Sequence, residues 1–334
     1  MNKRTPIVTA IVKRAGFVGL ALIGLVLAHM SFARADAWPS RPITLIVPFG
    51  AGTTSDIVGR SLAQTLSESL GQPVVVENKG GAGGNIGGAF VAHATPDGYT
   101  LLLATTGPGA TNKLMYHDIG FDPERDFAPI VLLGKSPVII AARPDAPFAT
   151  LKDFIDYART NPDKITAGAP GNGTLGHITG ELLQHTASIK FSSTQYRGSS
   201  DILVDLLGSR IDIALDSMAA YVPAIQAGKI KALAIAGQQR WSKLPNVPTV
   251  SESGLPGFEA SVWYALLAPK GVPPDVITKL NAASNAYLHT ANTETVLNNL
   301  GVSTAGGTPD ELKAFTASEI AKWGPIVKAA NISF

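Results

Sequence analysis

The sequence predicts a two-domain α/β protein built on parallel sheets. Three observations carry this. Short β-branched runs alternate with amphipathic helical stretches from Trp38 onward, the alternation falls into two series divided near Arg143, and two apolar stretches are placed to cross between the series. A chain of 334 residues accommodates both, at roughly 100–200 residues per domain.

The first series opens with a strand over Ile43–Val47. Val58, Leu62, Leu66 and Leu70 then recur every fourth position on one helix face, and Gly71-Gln72-Pro73 stops that helix. A strand at Val74–Val76, a Gly-rich stretch, a short helix near Ile86–Ala94, the turn Pro96-Asp97-Gly98 and a strand over Tyr99–Ala104 complete a βαβαβ unit. The second series runs helix Leu151–Thr160, strand Lys164–Gly168, helix Leu175–Gln184 and strand Ser193–Tyr196. It continues with a helix marked by Ile202, Leu203, Leu206 and Leu207, strand Ile211–Leu215, helix Val222–Gln226 and strand Lys231–Ala236. Ala128–Ala142 serves as the outward crossing and Ser261–Ala268 as the return. Helices carrying Val276, Ile277 and Leu280, then Leu312, Phe315, Ile320 and Trp323, finish the first domain.

Composition narrows the function. With 45% hydrophobic and 16% charged residues the chain buries a core and is not disordered. The net charge of +2 is misleading, because Lys3, Arg4, Lys13, Arg14 and Arg34 sit in a segment read as removable; without them 22 basic residues face 25 acidic ones. No basic stripe is left to neutralise phosphates, which argues against nucleic acid as a partner. The absence of Cys removes disulfides, zinc–thiolate sites and thiol nucleophiles together. Residues 1–37 read as a secretory signal peptide: a basic start, an apolar run over Ala15–Ala28, then Ala33-Arg34-Ala35 or Ala35-Asp36-Ala37 as the cleavage site. The apolar run, about 14 residues, is shorter than the roughly 20 that a membrane-spanning helix needs.

The small residues fall where a ligand would bind. Phe49–Ser55, Gly80–Asn85, Pro170–Thr174 and Arg197–Ser200 each follow a predicted strand and open a predicted helix. First-turn N–H groups have no intrahelical partner, the helix dipole adds partial positive charge, and Gly permits close approach. Two such ends in each domain, facing across a hinge, would hold a small anion without a lysine clamp. The alternative is that Gly, Ser and Thr there only form turns and caps.

Other motifs are decoys or double-edged. Gly171-Asn172-Gly173-Thr174-Leu175-Gly176 matches a dinucleotide fingerprint, but Tyr196 and Arg197 stand where its acidic residue belongs. No phosphate-binding GK[ST] loop, metalloprotease motif or nucleophile elbow occurs, so no cofactor, metal or catalytic residue is assigned. His177 either touches a ligand at its helix start or bonds its own loop. Asp56 either serves the dipole or meets a ligand. Asp216 caps the next helix or faces the cleft, and Arg197 is the basic residue in a strand-exit loop, either a ligand contact or a loop brace. Trp263 and Tyr264 on the return crossing either stack on a ligand or pack the hinge.

Ordered matches along the mature chain resemble the receptors of tripartite tricarboxylate transporters, the Bug or TctC family. They include Trp38-Pro39, Val47-Pro48-Phe49 to Gly52 and Asp56, Gly81-Ala82-Gly83-Gly84-Asn85-Ile86-Gly87, Pro96-Asp97-Gly98-Tyr99-Thr100 and Asp126-Phe127-Ala128-Pro129. Further on stand Gly173-Thr174 with His177 and Glu181, Tyr196-Arg197-Gly198, Val247-Pro248-Thr249 and Trp263-Tyr264. The resemblance implies a two-lobed periplasmic binding protein of the type II, Venus-flytrap kind, with two hinge crossings: lobe 1 from 38–136 plus 262–334, lobe 2 from 137–261. It implies an organic carboxylate in the interlobe cleft, delivered to a membrane permease without chemistry; a monomer suits a protein that must open and close. The implied contacts are Phe49, Gly52, Thr53, Thr54, Asp56, Gly83, Gly84, Asn85 and Thr105 from lobe 1. From lobe 2 and the return crossing come Asn172, Gly173, Thr174, His177, Arg197, Gly198, Ser199, Asp216 and Trp263. One departure is Thr53, where the family usually has a second glycine after Gly52. The alternatives are an adaptor that presents the ligand to a membrane sensor protein and, more remotely, a secreted hydrolase.

Overall fold

Ile43–Val47 forms the first strand, β1, whose apolar side chains are buried because helices cover both faces of the sheet. The structure is a computed structural model, and it describes residues 38–329 and 331–333. The signal peptide expected over 1–37 lies outside the described residues. Met1–Ser40 and Arg41–Phe334 are separate units, and every element below belongs to the second.

The first helix, α1 (Thr54–Leu70), buries Val58, Leu62 and Leu66 and ends at Gly71, whose φ of 70° closes the last turn in the left-handed conformation. Gly59 lets the helix lie flat on the sheet: a Cβ there would come within 2.8 Å of Val47. Next come β2 (Val74–Asn78), α2 (Asn85–Ala92) and β3 (Thr100–Thr105), with β2 and β3 flanking β1 in parallel. A five-residue π-turn, Gly107–Thr111, then leads into the four-residue α3 (Asn112–Met115).

The outward crossing is one strand of 16 residues, β4 (Phe127–Ala142). The second series supplies α4 (Leu151–Thr160), β5 (Thr166–Ala169), α5 (Leu175–Ala187), β6 (Ser192–Gln195), α6 (Ser199–Leu207), β7 (Ile213–Ser217), α7 (Val222–Gln226) and β8 (Lys231–Ile235). The return strand β9 (Ser261–Pro269) precedes α8 (Pro274–Leu288), α9 (Ala291–Asn299), β10 (Ser303–Thr304) and α10 (Pro309–Ala329).

These strands join in the order β2-β1-β3-β9-β4-β7-β5-β6, with β8 and β10 also on β4. The two crossings pair antiparallel with each other from Phe127↔Pro269 to Pro137↔Ser261. At the next residue β4 changes partners: Val138 to Ala142 pair with β7, and Ile139 to Ala142 also pair with β8. The two βαβ halves are thus two wings of one sheet, joined where β4 changes ladders. This is the two-lobed α/β architecture expected.

The π-turn, α3, α9 and the two-residue β10 were not read from the sequence. A further feature concerns α10. Its Leu312, Phe315 and Ile320 pack with the Ile46–Leu102–Trp263 core of the first half, whereas Trp323 and Val327 join the Phe154–Ile178–Leu215 core of the second. The C-terminal helix therefore touches both halves rather than only completing the first.

Candidate functional site

The β1–α1 loop is organised by two side chains that point back into it. Thr53 caps α1, its Oγ1 donating to the Gly50 carbonyl at 2.8 Å and accepting from the Asp56 N–H at 3.4 Å. Asp56, 3% exposed, accepts from the Gly52 N–H at 2.9 Å, Arg60 Nε at 3.0 Å and Asn78 Nδ2 at 2.9 Å. Burial works to raise its carboxyl pKa, but the Arg60, Gly52 and Asn78 hydrogen bonds outweigh it and hold the pKa below the usual range. Asp56 thus braces the loop from behind.

The β2–α2 loop turns through Gly81, Gly83 and Gly84, all at positive φ, positions that residues without a Cβ hold at low cost, and Ala82 between them stands at a φ of 48° as well. Behind it, Asn112 Nδ2 donates to the Gly83 carbonyl at 3.0 Å and to Asn85 Oδ1 at 2.6 Å.

In the second half, Thr174 caps α5 and its hydroxyl donates to the Gly171 carbonyl at 3.0 Å. The Gly173 N–H donates to His177 Nδ1 at 3.4 Å, so His177 bonds its own loop; burial lowers its pKa and favours the neutral ring that this acceptor role requires. Asp216 ends β7 at 4% exposure and accepts from the Ser217 N–H at 2.6 Å, from the Tyr221 hydroxyl at 3.1 Å and from Ser199. Burial outweighs these donors and pushes its carboxyl up to about 6.

All four strand-exit loops open onto one cavity of about 560 Å³ between the halves. Of the residues expected there, the structure brings together Phe49, Thr53, Thr54, Gly83, Gly84 and Thr105 from the first half, and Asn172, Thr174, Arg197, Gly198, Ser199 and Asp216 from the second. Gly52, Asp56, Asn85, Gly173, His177 and Trp263 are not among the lining residues. Asp56 and Asn85 are spent on bracing their loops, Gly52 and Gly173 donate to Asp56 and His177, and Trp263 lies on the opposite face of β9.

Sequence reasoning had weighed Tyr264 beside Trp263 without choosing it; strand parity puts Val262 and Tyr264 into the cavity and Trp263 into the core. Tyr264 is bonded to Thr54, and burial, followed by the Asp216 charge, raises its pKa. Tyr116, Tyr196, Thr106 and Gly107 were missed altogether as lining residues. First-turn residues of three helices line this space, Ser55, Leu175 with Gly176, and Ser199, and Gly84, the N-cap of α2, joins them with its N–H turned to the Gly81 carbonyl at 2.9 Å. First-turn N–H groups favour an anion. Arg197 and Asp216 are the charged side chains among the described lining residues.

Among the described residues no cluster of His, Cys, Asp or Glu is arranged to hold a metal ion, and no helix is long and apolar enough to cross a membrane. Residues 58–332 match the family described as "Tripartite tricarboxylate transporter family receptor". Protein BugT of Bordetella pertussis is 36% identical over 313 residues, which cover 92% of this chain and 96% of BugT. The R. palustris protein Rpa4515, solved with adipate, superposes with a TM-score of 0.84 at 35% identity, covering 89% of this chain and 99% of that one. MatC from Rhodopseudomonas palustris, solved with bound malate, gives a TM-score of 0.80 at 33% identity, covering 87% of this chain and all of its own. Loop for loop, the strand exits that carry the family's motifs are the ones that meet in the cavity, and the chain belongs to the TctC family of tripartite tricarboxylate transporter receptors, which bind solutes and are not enzymes.

Proposed function

We propose that this receptor works in the periplasm, exported by the signal peptide at 1–37, and captures a small organic carboxylate between two lobes, 38–136 plus 262–334 and 137–261. The observation that carries this reading is the meeting of four helix starts on one cavity with Arg197, the cationic side chain among the described lining residues, at its wall. Such a site neutralises a carboxylate with oriented N–H groups and hydroxyls rather than with a lysine clamp. The partner switch between Pro137 and Val138 on β4 supports the lobe boundary. The adipate and malate bound by its relatives support a di-acid of four to six carbons as the first ligand class to try.

Capture works by differential affinity: a ligand held by loops of both lobes stabilises the closed arrangement over the open one. The closed monomer then presents its lobe surfaces to a membrane permease of the tripartite tricarboxylate type. The test is thermal unfolding of mature protein, refolded to strip any co-purified ligand, against mono-, di- and tricarboxylates, aromatic acids and amino acids. At about 100 times its Kd a true ligand adds about 2.7 kcal/mol, a rise of roughly 5–10 °C for lobes of this size. A panel in which no acid shifts the transition, with the refolding control passing, overturns the carboxylate assignment.

A further inference from the structure

One side chain of the first half reaches the backbone of the second across the cavity. Tyr116 follows α3 in the first half, its N–H donating to the Asn112 carbonyl at 3.0 Å, and Asn112 in turn is fastened to Gly83 and Asn85. Its hydroxyl donates to the Asn172 carbonyl of the second half at 3.1 Å. Glycine flanks the ring on both sides of the cleft. A Cβ on Gly83 would fall 2.8 Å from the Tyr116 hydroxyl, and a Cβ on Gly173 would fall 2.9 Å from the ring. Both glycines stand at positive φ, at 63° and 75°.

We propose that Tyr116 is a cross-cleft latch that enters a slot between Gly83 and Gly173, holds the halves closed, and thereby sets how long a ligand stays. The inference rests on the receptor reading above and adds to it a positioning residue that acts on the closed state. What the latch grips is one peptide unit. The carbonyl of the Asn172–Gly173 peptide accepts from Tyr116 across the cleft, while its N–H donates to His177 of its own helix. Held at both edges, this peptide is a fixed catch, and its N–H is not turned toward the cavity. Tyr116 also lines the cavity and is only half-buried, which places it at the mouth.

Because the latch joins one half of the protein to the other and not to a solute, it predicts a closed population in the ligand-free protein. Apparent affinity scales with that population. Removing one neutral hydrogen bond lowers it by about three- to tenfold.

The chain contains no Cys, so two introduced cysteines are the sole labelling sites. With spin labels at Gln64→Cys and Lys190→Cys, exposed positions on opposite halves, pulsed dipolar distances report closure. The ligand-free parent is expected to show a short-distance population, reduced in Tyr116→Phe, which keeps the ring, and in Gly173→Ala, whose Cβ blocks the slot. Adipate is the probe for the second arm: at saturation the parent and Tyr116→Phe both close, and Tyr116→Phe releases adipate about three- to tenfold faster than the parent. A uniformly open ligand-free parent, a Tyr116→Phe distribution identical to the parent's, or an unchanged release rate overturns the latch. Failure of adipate and the remaining acids to bind would count against the carboxylate reading instead, and the ligand-free distances still decide the latch.

Discussion

Trp263 and Trp323 donate their indole N–H groups to the same oxygen of Glu319, at 3.3 and 3.2 Å. Trp263 belongs to the return strand and packs edge-on against Phe315 with ring centroids 5.6 Å apart, while Trp323 reaches the core of the other half. Glu319 is 8% exposed, so one carboxylate on α10 fastens the crossing to both cores. The neighbours of Trp263 on that crossing, Val262 and Tyr264, line the cavity, which makes this clamp part of what holds the cleft wall in place.

Glu319→Ala leaves two buried indole donors without an acceptor and is expected to cost roughly 2–4 kcal/mol in urea unfolding. Glu319→Gln retains an acceptor oxygen and should cost less than half as much. Equal losses in the two variants would mean that packing, not the shared acceptor, holds the crossing.

Gly83→Asp places a carboxylate at the mouth of an anion site, on a residue whose φ of 63° and whose 2.8 Å approach to the Tyr116 hydroxyl leave no room for a Cβ. Binding of any acid taken up by the parent should weaken at least about 100-fold, while far-ultraviolet circular dichroism stays unchanged. Retained affinity would remove this loop from the site.

Asp216 gives the protein a pH signature. Its carboxyl is raised from 3.8 to about 6 by burial, so between those values the folded state holds a proton that the unfolded state has released. Stability is therefore highest below pH 4 as far as this group is concerned, falls as pH rises toward 6, and is flat above, a loss of roughly 3 kcal/mol. Asp216→Asn should flatten that part of a urea-midpoint profile taken from pH 4 to 7. Affinity for a carboxylate follows the same direction, tightening as pH drops through 6 because the cavity sheds a negative charge.

Asp56 has the opposite sign. Its pKa lies below 3.8, so its contribution is complete above that value and is lost as pH falls through the folded pKa. Asp56→Ala removes the acceptor that Gly52, Arg60 and Asn78 share, and is expected to cost roughly 1–2 kcal/mol and to weaken ligand binding about tenfold through the β1–α1 loop. Undiminished binding would show that the loop keeps its shape without this brace.

Much of this was legible in the chain itself, for a physical reason. Helix faces and strand exits are local patterns, so Val58, Leu62 and Leu66 announced α1, and the loops opening at Phe49, Gly80, Pro170 and Arg197 announced the cavity walls. What was not legible depends on parity or on distance. Trp263 and Tyr264 are adjacent on one strand, and a one-residue choice of face decides which meets the cavity. Tyr116 follows a π-turn and a four-residue helix, where no periodicity fixes a direction, and its partner lies 56 residues away. Asp56 was read with two possible roles, and the choice turned on Asn78, which arrives from another strand.

The ladder change on β4 has a mechanical consequence. Pro137 pairs with Ser261 and the very next residue, Val138, with Ser217, so no slack chain separates the wings at this strand. Were the lobes proposed above to part here, continuous hydrogen-bonded strands would have to bend elastically, as a leaf spring does, rather than swivel on a loose tether. A joint of that kind resists wide opening and draws the wings back to the alignment they left.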